Sequence, residues 1–467
     1  MHIGVDATFL PRDHRGMGMV VRNFIQGFES LNLPDSKLTF LTFKPHLLED
    51  IKKEYGYLGQ VCTFEQAPQD LDVCWYPWDR LDFPLPCPMV MTVHDVYSWK
   101  SDLGRRKYRD WTTIIKKVKY VAAISDFVKN EFLEAFAQTP EQVEELTSKI
   151  IVCHNSVNAD YLKKAGLKGT ASCASPTPSA PTGQATGSHK ANSGADSPTL
   201  SSNSANSATS LATQENAEDF KANNQQPASQ ATSLEGNETK PDLTPITDGR
   251  QQYLNRITGG QPFIFFVGNP EEERKNLLIL AQALSSLKDE FPHKILIAGE
   301  QPQYKIGLWQ RLFPNVRTRY LKKLRPVLDK IPNRVIYTGN LTQEQMIEPY
   351  SYCDLFAAVS TYEGFFLPLI EAMACRAPVL CAKVGVLPEV GADVPFYYKP
   401  DDVQDLQDKL RFLLKSREIY RGSEQEKKGL QRAELFSSSN AAKAYLKVFE
   451  KCLADSPGDL NPNSGAE

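Results

Sequence analysis

The sequence predicts an α/β protein in which two Rossmann-like domains face each other across a cleft, with a long disordered insertion between them. Three observations lead there. Over residues 1–164, short apolar runs alternate with segments of helical spacing, the pattern of a parallel, doubly wound sheet. The same alternation restarts after about residue 257 and continues to 437. Between them, residues 165–256 are rich in Ser, Ala, Thr, Asn and Gln, as in SPTLSSNSANSATSLATQ. Such a stretch cannot bury enough apolar area to offset the entropy of ordering it.

In the first block, strands are expected at 3–5, 38–42, 73–76, 89–93, 120–124 and 150–153, with helical spacing over 20–31 and 127–136. In the second, strands are expected at 263–267, 295–298, 335–337, 355–359 and 379–381, and helices at 277–287 and 367–374. Several of these strands end in Gly or Ser (Gly268, Gly299, Gly339, Ser360), and ligands of open α/β sheets bind outside strand carboxyl ends. Residues 438–454 have a helical pattern and are expected to dock back toward the first domain, and 455–467 read as a disordered tail.

Formal net charge over the 467 residues is −3, which excludes a strongly basic nucleic-acid footprint for the whole chain. No apolar run approaches the ~20 residues needed to span a bilayer, and the opening MHIGVDATFL lacks the features of a signal peptide. The nine cysteines form no Cys-x-x-Cys pair, so reduced thiols in a cytoplasmic protein are expected. A basic cluster from Lys100 to Lys119, with Tyr108 and Trp111 among the cations, could touch anionic lipid at the inner membrane face or serve as a solvated face. A second, over 305–330, reads as a solvated helical insertion.

Four segments carry chemistry. In STYEGFFLPLIEAMACRAPVL, residues 360–380, Pro368 suits the first turn of a helix. Glu363 then lies in the preceding loop and Glu371 about a turn inside. The helix start offers free N–H groups to an anion, so two carboxylates here suit a phosphate joined to hydroxyl-rich sugars. Spacing alone equally allows a capping Glu363 and an exposed Glu371. In FFVGNPEEERKNL, residues 265–277, Arg274 and Lys275 stand at a helix start, against the dipole preference unless an anion binds there. In RGMGMVVRNF, Gly16 and Gly18 let backbone approach a phosphate or sugar, although Val21 replaces the third glycine of the dinucleotide fingerprint. In TVHD, His94 follows a strand and could reach the cleft. Asp70-Leu71-Asp72 matches a metal-binding Asp-x-Asp string, but it precedes a strand.

Together these segments resemble the retaining glycosyltransferases of family 4 (group 1), which have the GT-B fold. VGNPEEERKN, KILIAGE, VIYTGNL, the Glu-x7-Glu segment and LPEVGADVPFYYKPDD occur in family order, as do GVDATFL with GMG, TVHD, AAISDF and VCHNSVN in the first domain. The TVHD and RKN forms look most like the mannosyltransferase branch. The resemblance implies an N-terminal acceptor domain and a C-terminal nucleotide-sugar domain. Lys275 and Arg274 would hold the donor diphosphate, and Glu371 the ribose hydroxyls. Gly268, Asn269, Gly339 and Leu367 would complete the nucleotide site. Glu363 would contact the sugar near the reacting carbon, and His94 would face it from the first domain. Gly16 and Gly18 would line the phosphate and acceptor side, and Ser125, Asn155, Phe365 and Phe366 the cleft. It also implies retention of configuration, no metal or other cofactor, and a nucleotide-diphosphate sugar as co-substrate, GDP-mannose first and a UDP-sugar second. The acceptor would be a glycan or lipid-linked acceptor in polysaccharide or glycoconjugate assembly.

Three positions depart from the family pattern. Phe366 stands where a glycine is usual and is expected to reshape or block the sugar pocket, Arg376 replaces a glycine after the helix, and Asn269 replaces a frequent arginine. They favour the alternative of a catalytically degenerate relative that binds a nucleotide sugar or a partner without turnover. A scaffold working through its linker is the other rival.

Overall fold

The computed structural model describes residues 1–13, 16–97, 104–164, 249–304, 313–416 and 420–455. Most of the expected insertion, the residues of the two basic clusters at 100–103 and 305–312, and the tail from 456 lie outside the described residues.

The first sheet is wholly parallel, with seven strands in the order β3-β2-β1-β4-β5-β6-β7. They are β1 His2–Asp6, β2 Lys37–Thr42, β3 Gly59–Thr63, β4 Val73–Tyr76, β5 Met89–Val93, β6 Tyr120–Ala123 and β7 Ile150–Val152. The accompanying helices are α1 Met17–Leu31, α2 Leu48–Tyr55, α3 Gly104–Lys117, α4 Asp126–Phe136, α5 Pro140–Lys149 and α6 Ala159–Lys164. Strands β1, β4, β5 and β6 are buried along their whole length, as expected where helices cover both faces of a parallel sheet.

The segment expected to be disordered up to 256 is corrected at its end, because α7 spans Gly249–Thr258. Its sequence GRQQYLNRIT has few apolar residues, but Leu254 is buried and fixes the helix against the second domain. That domain carries a six-stranded parallel sheet, order β10-β9-β8-β11-β12-β13. The strands are β8 Phe263–Val267, β9 Lys294–Ala298, β10 Val335–Tyr337, β11 Leu355–Ala358, β12 Val379–Ala382 and β13 Phe396–Tyr398. The remaining helices are α8 Leu277–Ser286, α9 Val316–Leu328, α10 Gln343–Tyr352, α11 Leu367–Ala374, α12 Leu387–Gly391, α13 Val403–Lys415, α14 Glu424–Leu435 and α15 Ser438–Ala454.

The last helix, α15, returns to the first domain. Tyr445, Leu446, Val448 and Phe449 join the core around Trp75 and Phe24, with the Tyr445 and Trp75 rings 4.7 Å apart. Strand order in both sheets reverses beside the first strand, between β1 and β4 and again between β8 and β11. Ligand crevices of doubly wound sheets form at such reversals.

Candidate active site

The loops after β8 and β11, on either side of the second reversal, bring three of the expected residues together. Lys275 Nζ lies 2.6 Å from Glu363 Oε1, and Arg274 Nη1 lies 3.0 Å from Glu363 Oε2. The two loops are also tied by backbone, since the Thr361 N–H donates to the Arg274 carbonyl at 2.8 Å. Gly268 makes this possible: a Cβ there would meet the aliphatic stem of Lys275 at 3.0–3.3 Å. Asn276 takes a left-handed conformation (φ 54°) to start α8, a position that asparagine tolerates better than most residues. Burial would lower the Arg274 guanidinium, but the carboxylates of Glu363, Glu272 and Asp95 outweigh it and hold it above its ordinary value. Asp95, from the first domain, thus belongs to this charge cluster. The sequence reading gave it no role.

Glu371 sits one turn into α11, 7% exposed. It is therefore not a solvent-facing helix carboxylate. The Tyr350 hydroxyl donates to its Oε2 at 2.8 Å. Burial pushes the Glu371 carboxyl from its ordinary 4.5 up to about 7, against the opposing effect of the Tyr350 hydrogen bond. A raised carboxyl favours the folded state most below pH ~4.5, and that contribution is lost as pH rises through ~7, on the order of 3 kcal/mol in all. Melting temperature should accordingly fall between pH 5 and pH 8 in the wild type and change less in Glu371→Gln. A calorimetric pH series checks this, and identical slopes in the two proteins would contradict it.

The Phe366 ring packs inward. It is 6% exposed and stacks on Phe356 with centroids 6.3 Å apart. Lys275 Nζ lies over the ring, 5.1 Å from its centroid. The backbone meets the glycine-like requirement all the same: φ is +70°, at a cost of about 1–2 kcal/mol. Arg376 likewise adopts φ +61° after α11, and its guanidinium reaches the buried Glu426 at 3.4 Å. Asn269 is exposed and its Oδ1 accepts the Glu271 N–H, making a local turn.

His94 is held in place at one ring nitrogen. Its Nε2–H donates to the Pro77 carbonyl at 2.7 Å within the first domain, and the ring is buried. The part of His94 that meets the second domain is its carbonyl oxygen, packed so closely on Gly364 that a Cβ there would overlap it. Ser125 Oγ donates to the Gly364 carbonyl at 2.8 Å while accepting the Val128 N–H. Tyr362 packs on Tyr97 and Phe127 from the first domain and hydrogen-bonds Glu131. Phe365 is buried against Phe436, with His154 on its other flank. Asn155 is 5% exposed and its Oδ1 has no hydrogen-bond partner among the described residues.

Gly339 ends β10 at φ +70°, and Leu367 opens α11, half-buried. Beside Gly339 lies a cavity of about 370 Å³ lined by Thr338, Leu341, Glu344, Glu348 and, from α7, Tyr253 and Leu254. In the first domain, Gly16 is exposed with φ +52°. The Gly18 N–H donates to the Asp13 carboxylate at 3.0 Å, so a chain carboxylate already holds the amide expected to meet a phosphate. Asp70 pairs with Lys37 and His2, and Asp72 accepts the His2 N–H. That string is structural.

Among the described residues, Asp126, His154 and Glu389 bring potential metal-ligating atoms within 4.8 Å of one another. Glu389 Oε1 accepts the Asp126 N–H and the His154 Nε2–H, and Oε2 accepts the Phe127 N–H. Burial would raise the Glu389 carboxyl, but the hydrogen bonds from His154, Phe127 and Asp126 outweigh it and hold it below its ordinary value. The positive end of α4 points at this group, which favours an anion there over a cation. No helix among the described residues is long and apolar enough to cross a membrane.

Residues 261–416 match the family model described as "Glycosyl transferases group 1". The serotype-specific mannosyltransferase WbdA of Escherichia coli is 32% identical over 185 residues, 40% of this chain and 21% of that protein. The O-antigen chain mannosyltransferase B of Escherichia coli is 27% identical over 195 residues, 41% of this chain and 46% of that protein. The matches thus span from about a fifth to just under half of these relatives' length. Anabaena Alr3699/HepE, solved in complex with UDP, superposes with a TM-score of 0.57 at 14% identity, covering 96% of this chain and 99% of that one.

Proposed function

Because the chain carries a group 1 glycosyltransferase domain on a GT-B fold, we propose that it transfers a sugar, with retention, from a nucleotide-diphosphate donor to a glycan or lipid-linked acceptor. The observation that carries the reading is the Arg274–Lys275–Glu363 cluster at the strand carboxyl ends of the second sheet.

The difficult step is departure of a nucleoside diphosphate from a carbon with oxocarbenium character. Negative charge grows on the leaving phosphate, and a preorganised cation there stabilises it in proportion to its fixity. Arg274 and Lys275 are held on two sides by Glu363 and, for Lys275, by the Phe366 ring. In this role Glu363 keeps the cations aligned until the diphosphate takes their charge, and its carboxylate is then left beside the sugar's reacting carbon. Glu371, oriented by the Tyr350 hydroxyl, would accept the ribose hydroxyls, and the cavity beside Gly339 would take the base. In this mechanism the leaving phosphate oxygen takes the acceptor's proton, so that the C–O bond to phosphate breaks as the bond to the acceptor forms on the same face. On this reading the diphosphate charge is met by Arg274, Lys275 and backbone, without a metal.

GDP-mannose is the first donor to test, since the two relatives above are named mannosyltransferases. UDP-sugars come second, given the UDP bound to the Anabaena protein. The chain is incubated with GDP-mannose, UDP-glucose and UDP-N-acetylglucosamine, and the released nucleotide is measured by mass spectrometry. Release from one donor, with α-linked product by NMR, is expected. Inverted product would overturn the retaining assignment, and no release from any of these donors would leave the binding-only relative as the better reading.

A further inference from the structure

We infer that Glu389 is a positioning residue that clamps the two domains shut by capping helix α4 from across the cleft. This rests on the glycosyltransferase reading above for its kinetic consequence, though not for its geometry.

The first free N–H groups of a helix need acceptors. In α4 they are shared between the two domains. Val128 is served locally by Ser125 Oγ. Asp126 and Phe127 are served by the Glu389 carboxylate, both at 2.9 Å, although Glu389 belongs to the short helix α12 of the second domain. A charged cap at a helix start gains from the dipole as well as from hydrogen bonding. His154, at the end of β7, adds a third donor at 3.0 Å. Glu389 is fixed from behind, because Arg432 of α14 donates to the carbonyls of Glu389 and Val390. The same guanidinium lies over Phe436, which packs on His154. The clamp therefore joins α4 of the first domain to α12 and α14 of the second.

Its position links it to the reaction. The capped helix begins one residue after Ser125, whose hydroxyl holds the Gly364 carbonyl, and Gly364 follows Glu363. Closing the clamp thus sets the first domain against the loop that carries Glu363. Arg274, Lys275 and Glu371, by contrast, all belong to the second domain and keep their mutual geometry when the clamp opens. Losing Glu389 should therefore cost turnover, not nucleotide binding.

The test uses the full chain with Glu389→Ala and Glu389→Gln. Hydrogen exchange of the Asp126 and Phe127 amides, without any ligand, should quicken at least tenfold in Glu389→Ala, with the melting temperature within a few degrees of wild type. With GDP-mannose, kcat should fall roughly 10- to 100-fold, the scale of one net charge-assisted hydrogen bond once the freed amides regain water, while GDP affinity changes less than about twofold. Unchanged amide protection would overturn the clamp. So would GDP affinity that falls in step with kcat, or loss of protection across both domains, since either marks general unfolding. If the wild type releases no GDP, the donor assignment fails, and the exchange measurement still decides the clamp.

Discussion

Lys275→Ala is expected to lower donor turnover by about 10²- to 10³-fold, the usual consequence of deleting one preorganised contact to a charge that grows in the transition state. The argument starts from the placement of the ammonium group. It sits on the Glu363 carboxylate at 2.6 Å, and its stem crosses Gly268 at the end of β8. Arg274 remains in the variant and keeps its own contact to Glu363, so binding of the nucleotide should weaken less than turnover. The fold should persist, because the lost stem leaves Phe366 packed on Phe356. Single-turnover kinetics with matched nucleotide titrations separate the two effects. Turnover within about threefold of wild type would remove Lys275 from the reaction.

Phe366→Ala should destabilise the second domain by about 3–5 kcal/mol, the usual cost of emptying a buried aromatic position. Opposing terms act at this residue. The left-handed backbone costs about 1–2 kcal/mol and disfavours any side chain, while the buried ring stacks on Phe356 and carries Lys275 over it. Glycine would relieve the strain yet leave the same cavity, so Phe366→Gly should be destabilised by less than Phe366→Ala. Chemical denaturation of both variants measures this. The reverse order would mean that the left-handed backbone carries no net cost at this site. Phe366 thus carries a conformational cost and in return packs against Phe356 and Lys275.

The fold was legible because parallel strands buried on both faces leave continuous apolar runs, and β8, β9 and β11 follow such runs closely. The Arg274–Lys275–Glu363 cluster was legible for a different reason. Two cations at a helix start are unfavourable without an anion, and the strand order places the two loops side by side. Other features depend on tertiary contacts that no local pattern records. Nothing near Tyr350 signals that its hydroxyl meets Glu371, since α10 and α11 are brought together only by the sheet. Glu389 looks like an ordinary helix carboxylate until α4 arrives from the other domain. The direction of the His94 ring is set by the Pro77 carbonyl on a neighbouring strand end. The Phe366 ring could be placed only once Phe356 was known to lie beneath it. Helix α7 did not stand out because its polar sequence continues the composition of the insertion, and its docking rests on Leu254 and Ile257 with Thr258 at its end.

The central claim is that Arg274 and Lys275 form the seat of a nucleoside diphosphate. It is tested most directly by thermal unfolding of the wild type and Lys275→Ala with GDP, UDP and ADP in turn. A nucleotide at about 100 times its dissociation constant adds ~2.7 kcal/mol to stability, a shift of several degrees. One nucleotide should produce that shift in the wild type and little or none in the variant. A shift equally large in Lys275→Ala, or none with any of the three, would contradict the account.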